Sequence, residues 1–235
     1  MNNFDKLKIN LPKNSYTKFC IAKNFSTLGV DWKEKTSGDV VLTLSGKVMS
    51  NSFSLGSITV QNYTQLLKNL YENAYLDIKE DDFLNNSTVY IVDVKKDIQV
   101  EKDTSDYISK LREVFYASTR KIEVPIFINK LGFAESLLLK PVAKTLKDSF
   151  SIYSKYAELQ ATKNKYPNYY QQFDVSFLND CKQIIRFERR LQSFKAIRDA
   201  FHIKRNGAVC VKDILFSEVD VVKEKLMQLI GDNNL

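Results

Sequence analysis

Ile184-Ile185-Arg186-Phe187-Glu188-Arg189-Arg190-Leu191 is the stretch that decides the fold class. A strand sends successive side chains to opposite faces. Ile185, Phe187, Arg189 and Leu191 therefore share one face, and Arg186, Glu188 and Arg190 share the other. A strand with one apolar and one charged face suits an antiparallel sheet packed on one side; parallel strands, buried on both faces, read as continuous apolar runs. The Arg-x-Glu pair on the polar face has two readings of equal weight. It is a solvated charge ladder, or it is a metal-binding carboxylate beside a phosphate-binding arginine.

Working outward, similar β patterns recur. Lys6 to Leu11 alternates and stops at Pro12, which predicts a short edge strand. Val40-Val41-Leu42-Thr43-Leu44, Ser45-Gly46 and Lys47-Val48-Met49 predict a hairpin turning at Gly46, with β-like sequence continuing from Phe53 to Val60. Tyr63, Leu66, Leu67, Leu70, Tyr71 and Ala74 follow helical spacing, with Asn62 placed to cap. Thr88 to Val94 is a β-branched strand, and Asp93 falls on the face of Val89 and Ile91. A second helix is capped by Thr104 or Ser105 and buries Tyr107, Ile108, Leu111, Val114 and Phe115. Strands then run Glu135–Leu139 and Ser149–Tyr156. Helices follow from Phe194 to Phe201 and beyond Ser217, the last with a stripe of Val219, Val222, Leu226 and Leu229. The expected fold is α+β: antiparallel sheet with helices packed on one face. Its finer form is two fused ββαβ-like lobes, an N-terminal lobe over 1–100 and a basic lobe over 101–235.

Charge is distributed unevenly. The 235 residues carry 35 Lys and Arg against 28 Asp and Glu, a net charge of +7. From Lys140 to Arg205 there are 14 basic and 6 acidic residues, so the positive excess lies in this one stretch. Such a stretch attracts polyanions through Coulomb forces and counterion release, or is simply a solvated lysine-rich surface. The DNA-binding candidates within it are Lys182, Arg189, Arg190, Lys195, Arg198, Lys204 and Arg205, with Tyr169 and Tyr170 as stacking platforms or surface packing.

Several chemistries are excluded. The single histidine, His202, rules out a multi-histidine metal site and is expected to be structural. Seven glycines in the chain form no phosphate-cradling loop. Cys20, Cys181 and Cys210 lack CxxC spacing, which suits free thiols in a reducing compartment. No apolar run approaches a membrane span, and the first residues lack a secretion signal, so a cytoplasmic protein is expected.

Four elements in order carry a resemblance. They are Leu44-Ser45-Gly46-Lys47 through Gly56, Tyr90-Ile91-Val92-Asp93-Val94, Ile152-Tyr153-Ser154-Lys155-Tyr156-Ala157-Glu158, and the Arg186-Phe187-Glu188 strand, followed by Val211-Lys212-Asp213-Ile214-Leu215 opening a helix. Together they resemble the phage and plasmid replication initiators of the filamentous-phage and rolling-circle type, with Ser154 standing where Asp is common. The resemblance covers roughly residues 38 to 230 and implies one replication-initiator domain in a bacterial host. It also implies a metal-dependent enzyme that binds origin DNA and nicks and rejoins single strands by tyrosine transesterification. The implied roles are Tyr153 as nucleophile and Lys155 and Arg186 as phosphoryl-stabilising groups. Asp93, Glu158 and Glu188 are the implied oxygen ligands of Mg²⁺ or Mn²⁺. Tyr156, Tyr169 and Tyr170 are alternative nucleophiles. Two other readings keep the same residues without chemistry: an inactive DNA-binding initiator, and a phage structural or interaction protein.

Overall fold

The computed structural model describes residues 2–18, 29–49, 56–72, 76–118, 122–141, 147–165, 170–171 and 173–231. Cys20, the Phe53–Leu55 part of the expected hairpin region, Ala74 and Tyr169 lie outside them. The fold is mixed α+β with antiparallel pairing, as the alternating strands require. The chain divides into two units, Met1–Val94 with Leu191–Asp220, and Lys95–Arg190 with Val221–Leu235.

In the first unit, β1 (Asn3–Leu11), β3 (Val30–Glu34) and β4 (Val40–Ser45) pair in the order β3-β4-β1, and β1 is followed by β6 (Thr88–Gln99). Phe4, Leu7, Ile9 and Leu11 are buried, as the alternation predicts. β1 is not an edge strand, however: it has neighbours on both sides, and the Pro12 stop marks only its end.

The hairpin expected at Gly46 does not form. β4 pairs instead with β3, across a turn where Gly38 has φ +84. After Ser45 the chain enters a 3₁₀ turn, Gly46–Met49. A Cβ on Gly46 would stand 2.2 Å from the Gly56 carbonyl oxygen, so this glycine permits a close backbone approach.

α1 (Tyr63–Glu72) buries Leu66 and Leu70 but leaves Tyr71 exposed, a narrower stripe than expected. Asn62 faces away from the helix amides: its side-chain oxygen accepts from the Thr59 amide at 2.7 Å. β2 (Tyr16–Lys18) and β5 (Leu76–Ile78) form a separate antiparallel pair. α5 (Phe194–Ala200) and α6 (Val211–Leu215) complete the unit. His202 follows α5 with φ 54, and the Ile203 amide donates back to the Arg198 carbonyl at 2.9 Å. This is the Schellman closure, with histidine where glycine is usual. His202 is therefore a helix-terminating residue.

In the second unit the order is β6-β11-β10-β9-β7, and β8 also pairs β9. The strands are β7 (Ile122–Glu123), β8 (Ile126–Ile128), β9 (Ala134–Pro141), β10 (Asp148–Ser154) and β11 (Ile184–Leu191). The helices are α2 (Thr104–Ser118), α3 (Lys155–Lys165), α4 (Val175–Cys181) and α7 (Val221–Gly231). β10 ends two residues earlier than the apolar pattern suggests, because Ser154 acts as a helix cap: its Oγ accepts from the Ala157 amide at 3.4 Å. Val114, expected in the buried stripe of α2, is exposed. No described helix is long and apolar enough to cross a membrane.

Candidate functional site

The alternation of β11 sets the geometry of the second unit. On its apolar face, Ile185, Phe187 and Leu191 are buried, and Phe187 packs against Phe150 with ring centroids 6.3 Å apart. Arg189 lies among them at 8% exposure. Its guanidinium forks onto Asp148 at 3.0 and 2.9 Å and donates to the Val221 carbonyl at 2.9 Å. Arg189 thus anchors α7 and the start of β10.

On the other face, Arg186 is 1% exposed and makes a bidentate pair with Asp97 of β6, Nε to Oδ1 at 2.6 Å and Nη2 to Oδ2 at 2.8 Å. Two residues along, the Glu188 Oε2 accepts from the Tyr153 hydroxyl at 2.8 Å. Its Oε1 stands 3.5 Å from Arg190 Nη2. Tyr153 points to β11 because β10 and β11 are neighbours and their polar faces coincide.

Because α3 begins at Lys155, Lys155 and Glu158 occupy one helical face at i, i+3. The sequence requires a bend to bring them together, and the Ser154 cap supplies it. Lys155 is 2% exposed, with its ammonium 2.5 Å from Glu158 Oε2. Cys181 lies near Lys155 and Arg186; burial pushes its thiol up to about 11, partly opposed by those two cations.

A cavity of about 330 Å³ opens beside this cluster, lined by Tyr153, Ser154, Glu158, Ala157 and, from the β8–β9 hairpin, Phe127 and Glu135. Tyr153, Glu188, Lys155 and Glu158 are thus gathered within one unit. Asp93 belongs to the first unit, buried at 1% with Lys6 at 3.9 Å. Among the described residues no group of three or more His, Cys, Asp or Glu side chains is arranged to hold a metal ion. The described carboxylates therefore do not fit a three-ligand Mg²⁺ or Mn²⁺ site.

The basic candidates divide between the units. In the second, Lys182 is exposed and its ammonium sits 5.5 Å from the Tyr156 ring centroid. The Tyr170 hydroxyl accepts from Gln160 at 2.6 Å, with Lys163 5.3 Å from its ring. In the first, Lys195, Lys204 and Arg205 are exposed; Arg205 pairs with Asp213, and Arg198 donates to the Gly207 carbonyl at 2.7 Å. Asp97 and Asp148, which hold the two buried arginines, carry no sequence signal, since their partners lie 89 and 41 residues away. Phe127 and Glu135 are equally silent in the sequence: nothing local marks them as cavity walls.

No protein-family model matches the chain, and no curated protein matches it by sequence. Among solved structures, the chain is similar to a rolling circle replication initiator. That structure is the rolling circle replication initiator protein from Geobacillus stearothermophilus, at 12% identity over 98% of this chain and 96% of that one, with a TM-score of 0.39.

Proposed function

We propose that this protein is a replication initiator that binds origin DNA and nicks and rejoins a single strand through Tyr153. The observation that carries the reading is the 2.8 Å hydrogen bond from the Tyr153 hydroxyl to Glu188, at the wall of an open cavity. A nucleophile hydrogen-bonded to an adjacent carboxylate base is an arrangement that activates it for covalent catalysis. In the proposed step, Glu188 takes the phenolic proton as the Tyr153 oxygen attacks a phosphodiester phosphorus. A tyrosine–phosphorus bond forms, the bond to the 3′-oxygen breaks, and that oxygen takes up a proton. The products are a 5′-phosphotyrosine link and a free 3′-OH, and rejoining is the reverse. Arg190 positions Glu188 from its other oxygen. The four ordered motifs and the cationic 140–205 stretch support DNA as substrate.

The test is a denaturing gel of labelled single-stranded origin DNA from the chain's own replicon, incubated with the protein and Mg²⁺ or Mn²⁺. A covalent adduct is expected, absent in Tyr153→Phe and slowed about 10²–10⁴-fold in Glu188→Gln. An adduct that survives Tyr153→Phe overturns the assignment. A second reading, an initiator that binds DNA without nicking, is favoured by the lack of a three-carboxylate group among the described residues. It predicts salt-sensitive binding and no adduct with any variant.

A further inference from the structure

We infer that the cavity beside Tyr153 is a pocket for one unpaired base of the DNA strand, selective for bases that carry an exocyclic amino group. This rests on the reading of Tyr153 as the DNA-reactive residue and goes on to say how that residue's strand is held.

The walls favour a base. Phe127 supplies an aromatic ring, and Ala157 and Ala161, one turn apart on α3, add small apolar side chains to the lining. An aromatic ring in the wall of an open cleft offers a face on which an unpaired base stacks. The volume of about 330 Å³ lies at the small end of the range for ligand pockets, about 300–1,000 Å³.

The polar groups select which base. Glu135 and Glu158 both line the cavity. Glu158 is held by the Lys155 ammonium at 2.5 Å, which leaves Glu135 as the acceptor turned to a bound base. Carboxylates accept from amino groups, as Glu and Asp do from the cytosine amine. Thymine offers two carbonyl oxygens flanking one N–H and is disfavoured beside them. Glu135 is held in place to accept such a bond, because the Asn129 side-chain amide donates to its Oε1 at 3.2 Å.

The hairpin bearing Phe127 reaches toward the neighbouring nucleotides. Asn129 Oδ1 accepts the amides of Leu131 at 2.9 Å and Phe133 at 3.0 Å, and Gly132 at φ +86 closes the turn. This braced tip carries Ile128, Leu131 and Phe133 at 56, 80 and 51% exposure. Large apolar side chains held in water on a preorganised turn, continuing from a stacking ring, suit the faces of unstacked bases.

The experiment measures binding of fluorescein-labelled dC, dA and dT 12-mers to the full-length protein by anisotropy at low salt, alongside the adduct gel. Wild type is expected to bind dC and dA more tightly than dT. Ala161→Trp, which fills the cleft from an exposed helical position, and Phe127→Ala should each weaken dC and dA about tenfold. Glu135→Ala should erase the preference over dT while keeping most of the affinity. Circular dichroism confirms that each variant is folded. Wild-type binding in all three variants, or equal wild-type affinity for the three oligonucleotides, overturns the pocket while leaving the proposed function standing. Lost base preference in the variants with no adduct in wild type upholds the pocket and removes the nicking. A Phe127→Ala change in oligomeric state with unaltered DNA binding makes the hairpin a protein contact and overturns the inference. No binding of any oligonucleotide removes both.

Discussion

Removing the carboxylate from Arg186 should cost far more stability than removing both members of its ion pair. Arg186 is 1% exposed, and its guanidinium is met by both oxygens of Asp97 at 2.6 and 2.8 Å. Asp97→Asn keeps one acceptor and turns an amide toward the other nitrogen, taking the Asp97 charge away from a buried cation. Breaking a buried pair from one side costs about 3–5 kcal/mol. The lower end, about 3 kcal/mol, applies here, because the Asp97 side chain is 24% exposed and water reaches part of the site. The Asp97→Asn/Arg186→Met double variant removes the buried cation as well and keeps the buried volume. It should recover to within about 1 kcal/mol of wild type, since apolar replacement of a buried pair is often neutral. Urea unfolding followed by circular dichroism measures both variants against wild type, and Arg186→Met completes the cycle. An Asp97→Asn cost under about 1 kcal/mol, or a double variant no more stable than Asp97→Asn, refutes the buried-charge account. The consequence reaches the site, because Arg186 and Glu188 share one face of β11 and the pair holds that strand to β6.

Three further outcomes follow from two residues. Cys181, with its thiol raised to about 11 by burial, should resist iodoacetamide at pH 8.5 while Cys210 is alkylated, read by peptide mass mapping; equal labelling would contradict the burial. Because that thiol is raised from 9.0 to about 11, the folded state keeps its proton longer than the unfolded state, so its contribution is full below pH 9 and lost between pH 9 and 11. His202→Gly should raise stability by about 0.5–1 kcal/mol, because histidine there bears the left-handed penalty at φ 54 that glycine does not; a lower midpoint in urea would mean the imidazole's own contacts outweigh that strain.

Period and local chemistry made much of the fold legible. The two faces of β11, the buried stripe of β1, and the helices near Tyr63, Thr104 and Phe194 could be read directly, because each burial pattern repeats over a few residues. The Gly46 hairpin could not, since the reason for that glycine is a backbone oxygen ten residues away rather than its own turn. The Tyr153 element was half legible. The sequence shows Tyr153 and Lys155 alternating as if on a strand, whereas the Ser154 cap turns the chain between them into a helix.

By itself, then, the sequence determined an α+β chain of half-buried antiparallel strands, a charged face on Ile184–Leu191, and a cationic excess confined to one stretch. These are local or additive properties. Tertiary structure alone decided the partner of each charge. It paired Arg186 with Asp97 and Arg189 with Asp148, joined Tyr153 to Glu188, and placed Phe127 and Glu135 beside that tyrosine. The three hydrogen-bonded pairings join residues 35 to 89 positions apart and depend on strand order, which no local pattern encodes.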